Sequence, residues 1–395
     1  MKRSLSFGPS RPTALVAAGT ALIALTYGLV RLAYGLFLPE VQADLGLGTS
    51  AAGYVSAGAS TSYCAAAVLG FVTAGRRPRL LVLGAGLSAG VGSAAMASAQ
   101  HPAVFSIAAI LGSAGAGLAS PAMVQLVRGS SAPPVRERDQ ARVNAGTGPG
   151  LVAAGLLALA LLPNWRLAWG LVAALAVGVT AAVLWLDGER AARGAGLGVP
   201  TRSWWVAHGD LVAAALGMGA GSAAVWNFGR TVLVGAGASE RTSVLAWVAL
   251  GMGGTAVIGT ARLLDGVGPV AAWGVGTSAA GGATAVLALA PSRSGWALLA
   301  CVAFGWAFTA ATGALIAATS RIDPGQAPAG TSLLFVVLVL GQALGAPLVG
   351  SLASTAGFAP AFVTAAVAML AAALLPPLRT GWRSASPAAV CVSPS

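Results

Sequence analysis

The sequence predicts an all-α membrane protein with twelve transmembrane helices in two pseudo-symmetric six-helix bundles. Three observations carry that expectation. The 395 residues are 57% hydrophobic and 8% charged, whereas a soluble domain carries about 25% charged residues. Charged or Gly/Pro-rich breaks divide the chain into twelve apolar runs, each near the roughly 20 residues that cross a bilayer core as a helix. The basic residues also alternate from one set of connections to the other, as they do in membrane proteins with Lys and Arg on the inner side.

In chain order the spans are 14–38, 51–74, 80–99, 103–127, 143–162, 167–186, 206–229, 242–261, 269–290, 295–319, 329–353 and 358–378. The first follows Lys2, Arg3 and Arg11 and so imitates a signal peptide. Its apolar run is too long for the h-region of a signal peptide, and it reads as a transmembrane helix. With the N-terminus inside, seventeen of the 22 Lys and Arg fall on inner segments and four (Arg166, Arg230, Arg241, Arg293) on outer ones, with Arg31 inside a span. Both termini are therefore expected in the cytoplasm, in a multi-pass protein of the cytoplasmic membrane. The net charge of +12 then marks a surface facing anionic lipid, not a nucleic-acid site. Glycine is abundant, with 55 residues, as suits helices whose backbones approach closely.

The longest inner connection, 187–205, is polar and Gly-rich. It divides an N-terminal bundle, 1–186, from a C-terminal bundle with a short tail, 206–395. The halves repeat weakly but in consistent order. Gly75 and Pro78 match Gly266 and Pro269, Gly112 and Arg128 match Gly305 and Arg321, and Asn144 and Pro149 match Gln342 and Pro347. Parallel repeats of this kind place a substrate site near the membrane midplane, between the halves.

Local motifs add a family resemblance. The 2–3 loop reads GFVTAGRRPRL, with Gly70, Arg76, Arg77 and Arg79, and with Ala74 where an acid would stand. The 8–9 loop reads ARLLDGVGP, with Arg262, Asp265 and Gly268. Span 5 contains NAGTGPGLVAAG, with Gly148 and Pro149. Together with the 6+6 division, these resemble the major facilitator superfamily of bacterial transporters. The resemblance implies secondary transport by alternating access, and no enzymatic activity. It also implies that Gly70, Arg76, Arg77, Arg262, Asp265, Gly148 and Pro149 control the movement of the halves. The span 5 Gly-Pro motif looks like that of antiporters, which favours efflux of a drug or metabolite. Uptake of a small organic anion, or a transport-inactive sensor or scaffold, are the competing readings. With Ala74 in place of the acid, the first-half lock is altered, and Asp265 is expected to pair with Arg262 or Arg321.

Arg31 is the candidate that costs most. An arginine in a span costs roughly 2.5–3.5 kcal/mol on insertion scales. It lies eight residues before Pro39, roughly 12 Å along a helix axis, which is long for a snorkel to the surface. At regular helical spacing Tyr27, Tyr34, Gly28 and Gly35 share its face. The wall they form suits an anionic or polar solute, since a guanidinium holds a carboxylate bidentately or stacks on a ring. A structural bond between helices is the alternative.

Other substrate-site candidates are Asn144, Gln342, Trp226 and Asn227; the amides could instead bond neighbouring helices, and Trp226 could anchor the membrane interface. None of the ten acids falls at midplane. Asp210 and Glu40 are left as proton-coupling candidates, although Asp210 also suits a solvated helix start. No cofactor or metal is expected. The partners expected are a small-molecule substrate, membrane lipid and coupling protons, with the chain monomeric. Its two histidines and three scattered cysteines suggest neither a metal nor a catalytic cluster.

Overall fold

The computed structural model describes residues 11–187 and 201–375, apart from the side chains of Pro133 and Glu137. Most of the predicted linker 187–205 thus lies outside the described residues, as do Lys2, Arg3, Arg190, Arg193, Arg379, Arg383 and Cys391.

The described residues form helices and short connections. The first span is α1, Arg11–Ile23, a π-helical segment Ala24–Leu32, and α2, Ala33–Leu45. Then follow α3, Thr49–Thr73; α4, Pro78–Ser98; α5, Pro102–Ser130; α6, Arg136–Asn144; α7, Thr147–Leu161; and α8, Trp165–Asp187. After the linker come α9, Arg202–Gly235; α10, Glu240–Leu289; α11, Ser294–Ile322; α12, Ala327–Ala356; and α13, Phe358–Leu374.

Local chemistry sets the ends. Pro78 and Pro102 open α4 and α5, where proline's missing N–H costs nothing. The hydroxyls of Thr201 and Ser239 accept from the N–H groups of Trp204 and Thr242, capping α9 and α10. Gly46, at φ 68°, closes α2 in the left-handed region that glycine enters without strain.

Among the described residues, ten helical segments qualify as spans by length and hydropathy, against the twelve expected. Two local features account for the difference. The helix 240–289 has a non-helical residue inside it, Gly268 at φ 78° and ψ 165°, followed by Pro269, so two helices run together at a kink. Phe358–Leu374 is apolar but 17 residues long.

Packing is densest within two sets of helices. In one, α5 lies against α3 and α4, α8 against α4 and α1, and the π segment against α7. In the other, α9 packs on α12 and α13, and α10 on α11 and α13. The most extensive contacts between the sets are those of α3 with α12, α7 with α10, and α2 with α9. Small residues set the spacing. A Cβ on Gly219 would come 2.0 Å from the Leu338 carbonyl oxygen, and one on Gly341 2.3 Å from that of Leu216. Such closeness lets dispersion hold helices that lipid gives no hydrophobic reason to associate. Large apolar side chains such as Val91, Ile107, Val177 and Ile258 lie exposed, as bilayer-facing surface would be.

Candidate functional site

The π segment fixes the site. From Ala24 to Leu32 the backbone bonds i→i+5, and the Ala33 N–H donates to the Gly28 carbonyl. Such a segment holds more residues per turn than an α-helix, and such bulges frequently occur at functional sites. Glycines let it form against α7. A Cβ on Gly28 would sit 2.5 Å from the Gly150 backbone, and one on Gly150 2.4 Å from the Ala24 carbonyl oxygen.

Arg31 projects from this segment and is half-buried. Its Nη2–H donates to Gln342 Oε1 at 2.8 Å, and its guanidinium lies 4.9 Å from the centre of the Tyr63 ring. The Tyr63 and Tyr27 hydroxyls share a hydrogen bond of 2.8 Å. Gln342 continues the line, because its Nε2–H donates to Ser222 Oγ at 3.4 Å, and that hydroxyl donates to the Gly219 carbonyl. Arg31, Tyr63, Gln342 and Ser222 thus bring the π segment, α3, α12 and α9 together. Ser222 is the residue that the repeat offset of 191 pairs with Arg31.

The charge of Arg31 is not neutralised. Among the described residues no carboxylate pairs with it, and its Nε has no hydrogen-bond partner. One hydrogen bond from a charged donor contributes about 1.5–3 kcal/mol, and a cation–π contact about 0.5–2 kcal/mol. These roughly offset the insertion cost and leave a free cation facing neutral groups.

Tyr34 does not join this wall. Its hydroxyl donates to the Ala52 carbonyl at 2.9 Å, and its ring stacks on Phe105 at 6.3 Å. The shared face assumed for Tyr27, Arg31 and Tyr34 required 3.6 residues per turn, and the π segment breaks that register. Asn144 is also elsewhere. It ends α6, exposed, and accepts a hydrogen bond from Gln140. Gly148 lies 3.6 Å, measured from its notional Cβ, from the Thr255 hydroxyl, and Pro149 is exposed.

Towards the Glu40 end several bonds tie the two sets of helices together. Arg230 is 2% exposed and grips Glu40 with both Nη groups, at 2.5 and 2.6 Å. Its Nη1 also donates to the Leu36 carbonyl and its Nε to Ser243 Oγ. Arg230, expected at the outer end of a span, lies near the end of α9 and is buried there rather than exposed. Glu40, a proton-coupling candidate, is the acceptor of this pair. Ser56 donates to Asn227 Oδ1 at 2.6 Å, and the Ser50 and Ser351 hydroxyls lie 3.3 Å apart. Trp226 is buried among Trp247, Phe304 and Phe308, with no partner for its indole N–H. It does not anchor an interface. Its carbonyl oxygen would lie 2.1 Å from a Cβ on Gly35.

At the opposite end Gly70 packs on Pro121 and Gly117, with Arg76 and Arg77 exposed. Arg79 pairs with Asp187 at 3.8 Å, so an acid from α8 stands near the loop that lacks one at Ala74. Arg262 and Asp265 are exposed. The expected pairing of Asp265 with Arg262 or Arg321 does not occur within 4.0 Å among the described residues. The positive φ of Gly268 redirects the chain just after Asp265. Asp210 is half-buried two turns into α9, where it is not without a partner.

Tyr63, Ser56 and Ser222 were not anticipated from the sequence. Single hydroxyls in apolar spans carry no signature, although the repeat offset from Arg31 does point at Ser222.

A family model described as "Uncharacterised MFS-type transporter YbfB" matches residues 23–376. No protein in the curated set matches the sequence. Among solved structures, the chain resembles a bacterial homologue of the human lysosomal transporter Spinster, inward-facing and unoccupied. The TM-score is 0.78 at 16% identity, covering 96% of this chain and 100% of that one. The nucleoside transporter NupG gives a TM-score of 0.74 at 12% identity, over 92% and 98% of the two chains. The human organic anion transporter MFSD10 (TETRAN) gives 0.67 at 16% identity, over 93% and 100%. At such identities the likeness is one of fold.

Proposed function

The chain belongs to the MFS-type transporter family described by YbfB, and on that premise we propose that it is a secondary transporter exporting a small organic solute across the cytoplasmic membrane. Twelve spans form two halves, 1–186 and 206–395, joined by a cytoplasmic linker, and the halves rock about Arg31. The observation that carries this reading is the placement of an unneutralised, half-buried cation where four helices meet, with the Glu40–Arg230 pair tying the two sets of helices at one end.

The excess of basic residues at the other end supports placing Glu40 on the outer side. On that placement the outer side is the closed one, and the proposed path to Arg31 is from the cytoplasm. Exposure of Asn144, Pro149 and Thr255 on α6, α7 and α10 supports that path. The Gly-Pro element of span 5 favours export. Gly28 and Gly150, at the contact of α7 with the π segment, place that element against the Arg31 helix. Gln342, Tyr27, Asn227 and Trp226 complete the proposed site, and Gly70, Arg76, Arg77, Arg262, Asp265, Gly148 and Pro149 are the proposed control points. Uptake of a small organic anion is the competing direction; the unpaired charge of Arg31 suits it equally.

Coupling is tested by solute flux in proteoliposomes, using a panel of small organic solutes, with and without an imposed pH gradient. Saturable flux that accelerates with the gradient is expected. Flux indifferent to the gradient removes protons, and with them Glu40 and Asp210, from the coupling scheme. No saturable flux for any solute overturns the transporter reading in favour of a sensor.

A further inference from the structure

We propose that the solute carries one carboxylate, and that this group displaces the Gln342 amide from Arg31, so that loading breaks the bond between the first span and α12. The inference deepens the transport reading above and rests on it. Gln342 is 5% exposed and holds its side-chain oxygen 2.8 Å from Arg31 Nη2. That is where a carboxylate oxygen would lie in a charge-assisted hydrogen bond. The amide oxygen is a weaker partner than a carboxylate, because it carries no charge to cancel that of the guanidinium. It acts as a substitute ligand.

The count of charges selects the class. Arg31 is one cation, and the buried Arg230 is already matched by Glu40. One negative charge therefore leaves the core neutral. A dianion would leave an uncompensated charge in a low-dielectric interior, which costs heavily. The unpartnered Nε of Arg31 gives the second donor that a bidentate carboxylate needs. The Tyr63 ring face and the paired hydroxyls of Tyr27 and Tyr63 line the place beside it.

Gln342 is also the means by which loading is felt. Its oxygen holds Arg31 of the first span, and its nitrogen holds Ser222 of α9. Once a carboxylate takes Arg31, α12 keeps its tie to α9 and loses its tie to the π segment. The contact that loosens is one that joins the two sets of helices.

The test is ligand-dependent thermal stabilisation of the purified full-length protein. The probes are formate, acetate and benzoate, each set against its neutral amide (formamide, acetamide and benzamide). For the wild type at least one carboxylate is expected to raise the unfolding temperature, and its amide not to. Gln342→Leu is expected to bind that carboxylate roughly tenfold more tightly, since a competing hydrogen bond to a charged group is gone. Gln342→Met serves if the leucine variant does not fold. Gln342→Glu is expected to lose the response, because its own carboxylate occupies Arg31. The inference is overturned by equal responses to acid and amide, by weaker binding in Gln342→Leu, or by no response to any carboxylate. Opening of the Glu40 end, measured by maleimide labelling of Ser56→Cys in a background without other cysteines, needs no ligand. Opening without any carboxylate response defeats this inference alone, whereas absence of both defeats the transport reading as well.

Discussion

Arg31→Ala is expected to lower solute flux at least a hundredfold while leaving the folded protein about as stable as the wild type. The two halves of that expectation come from different balances. Losing the Gln342 bond and the contact with Tyr63 removes about 2–5 kcal/mol of favourable interaction. Removing the charge recovers roughly 2.5–3.5 kcal/mol of insertion cost. Stability therefore changes little. Solute binding has no such compensation. A charged bidentate contact of about 3 kcal/mol is worth a hundredfold at about 1.4 kcal/mol per decade. Flux in proteoliposomes and the unfolding temperature of the same preparation check both halves. Undiminished flux would remove Arg31 from the solute site. A collapse in stability would make it a structural tie between helices.

Arg230→Ala is expected to behave in the opposite way, with a large loss of stability. The Arg230 side chain is 1% exposed and that of Glu40 13%. Removing one partner of a buried pair costs about 3–5 kcal/mol. The residual exposure of Glu40 and its place at a helix end put the expected loss near 3 kcal/mol. Arg230→Lys should rescue little, because an ammonium cannot reproduce the two-pronged grip on Glu40 or reach Ser243 and the Leu36 carbonyl together. Arg230→Met with Glu40→Leu should recover much of the loss, since replacing both members of a buried pair by apolar groups is often close to neutral. Unfolding temperatures of these three variants and the wild type measure this. An Arg230→Ala protein as stable as the wild type would show the pair to be an incidental surface contact.

What the sequence conveyed, and what it withheld, follows from how far each signal reaches. Apolar runs and one-sided basic residues act over whole helices, so the helical membrane architecture was legible, and Arg31 stood out as a charge inside a span. Gln342 was also singled out, by its place before Pro347 in the repeat, and it does meet Arg31. Its counterpart Asn144 does not, because α6 ends at that residue and α7 begins only at Thr147. Gln342 lies in the middle of an unbroken helix. Tyr34 was misplaced because nothing in ALTYGLVRL announces i→i+5 bonding; close approach of the Gly150 backbone, remote in sequence, accompanies it. The Glu40–Arg230 pair spans 190 residues of chain, and each member alone looks like a surface charge at the end of a span. The break anticipated in the 8–9 loop is present, since Gly268 has non-helical φ and ψ and kinks the chain between two helices.

The claim on which the account depends is that the Glu40 end opens to expose the Arg31 site. Ser56 reports this directly. It is buried at 5% and bonded to Asn227 across the contact between α3 and α9, and cysteine replaces it almost isosterically. In a background with Cys64, Cys301 and Cys391 replaced by alanine, Ser56→Cys would be treated in sealed vesicles with a membrane-impermeant maleimide applied from the Glu40 side. The expected result is time-dependent labelling from that side. Ser56→Cys that stays unlabelled from the Glu40 side, in vesicles where Ser354→Cys, at an exposed position of α12 near the same end, is labelled, would contradict the account.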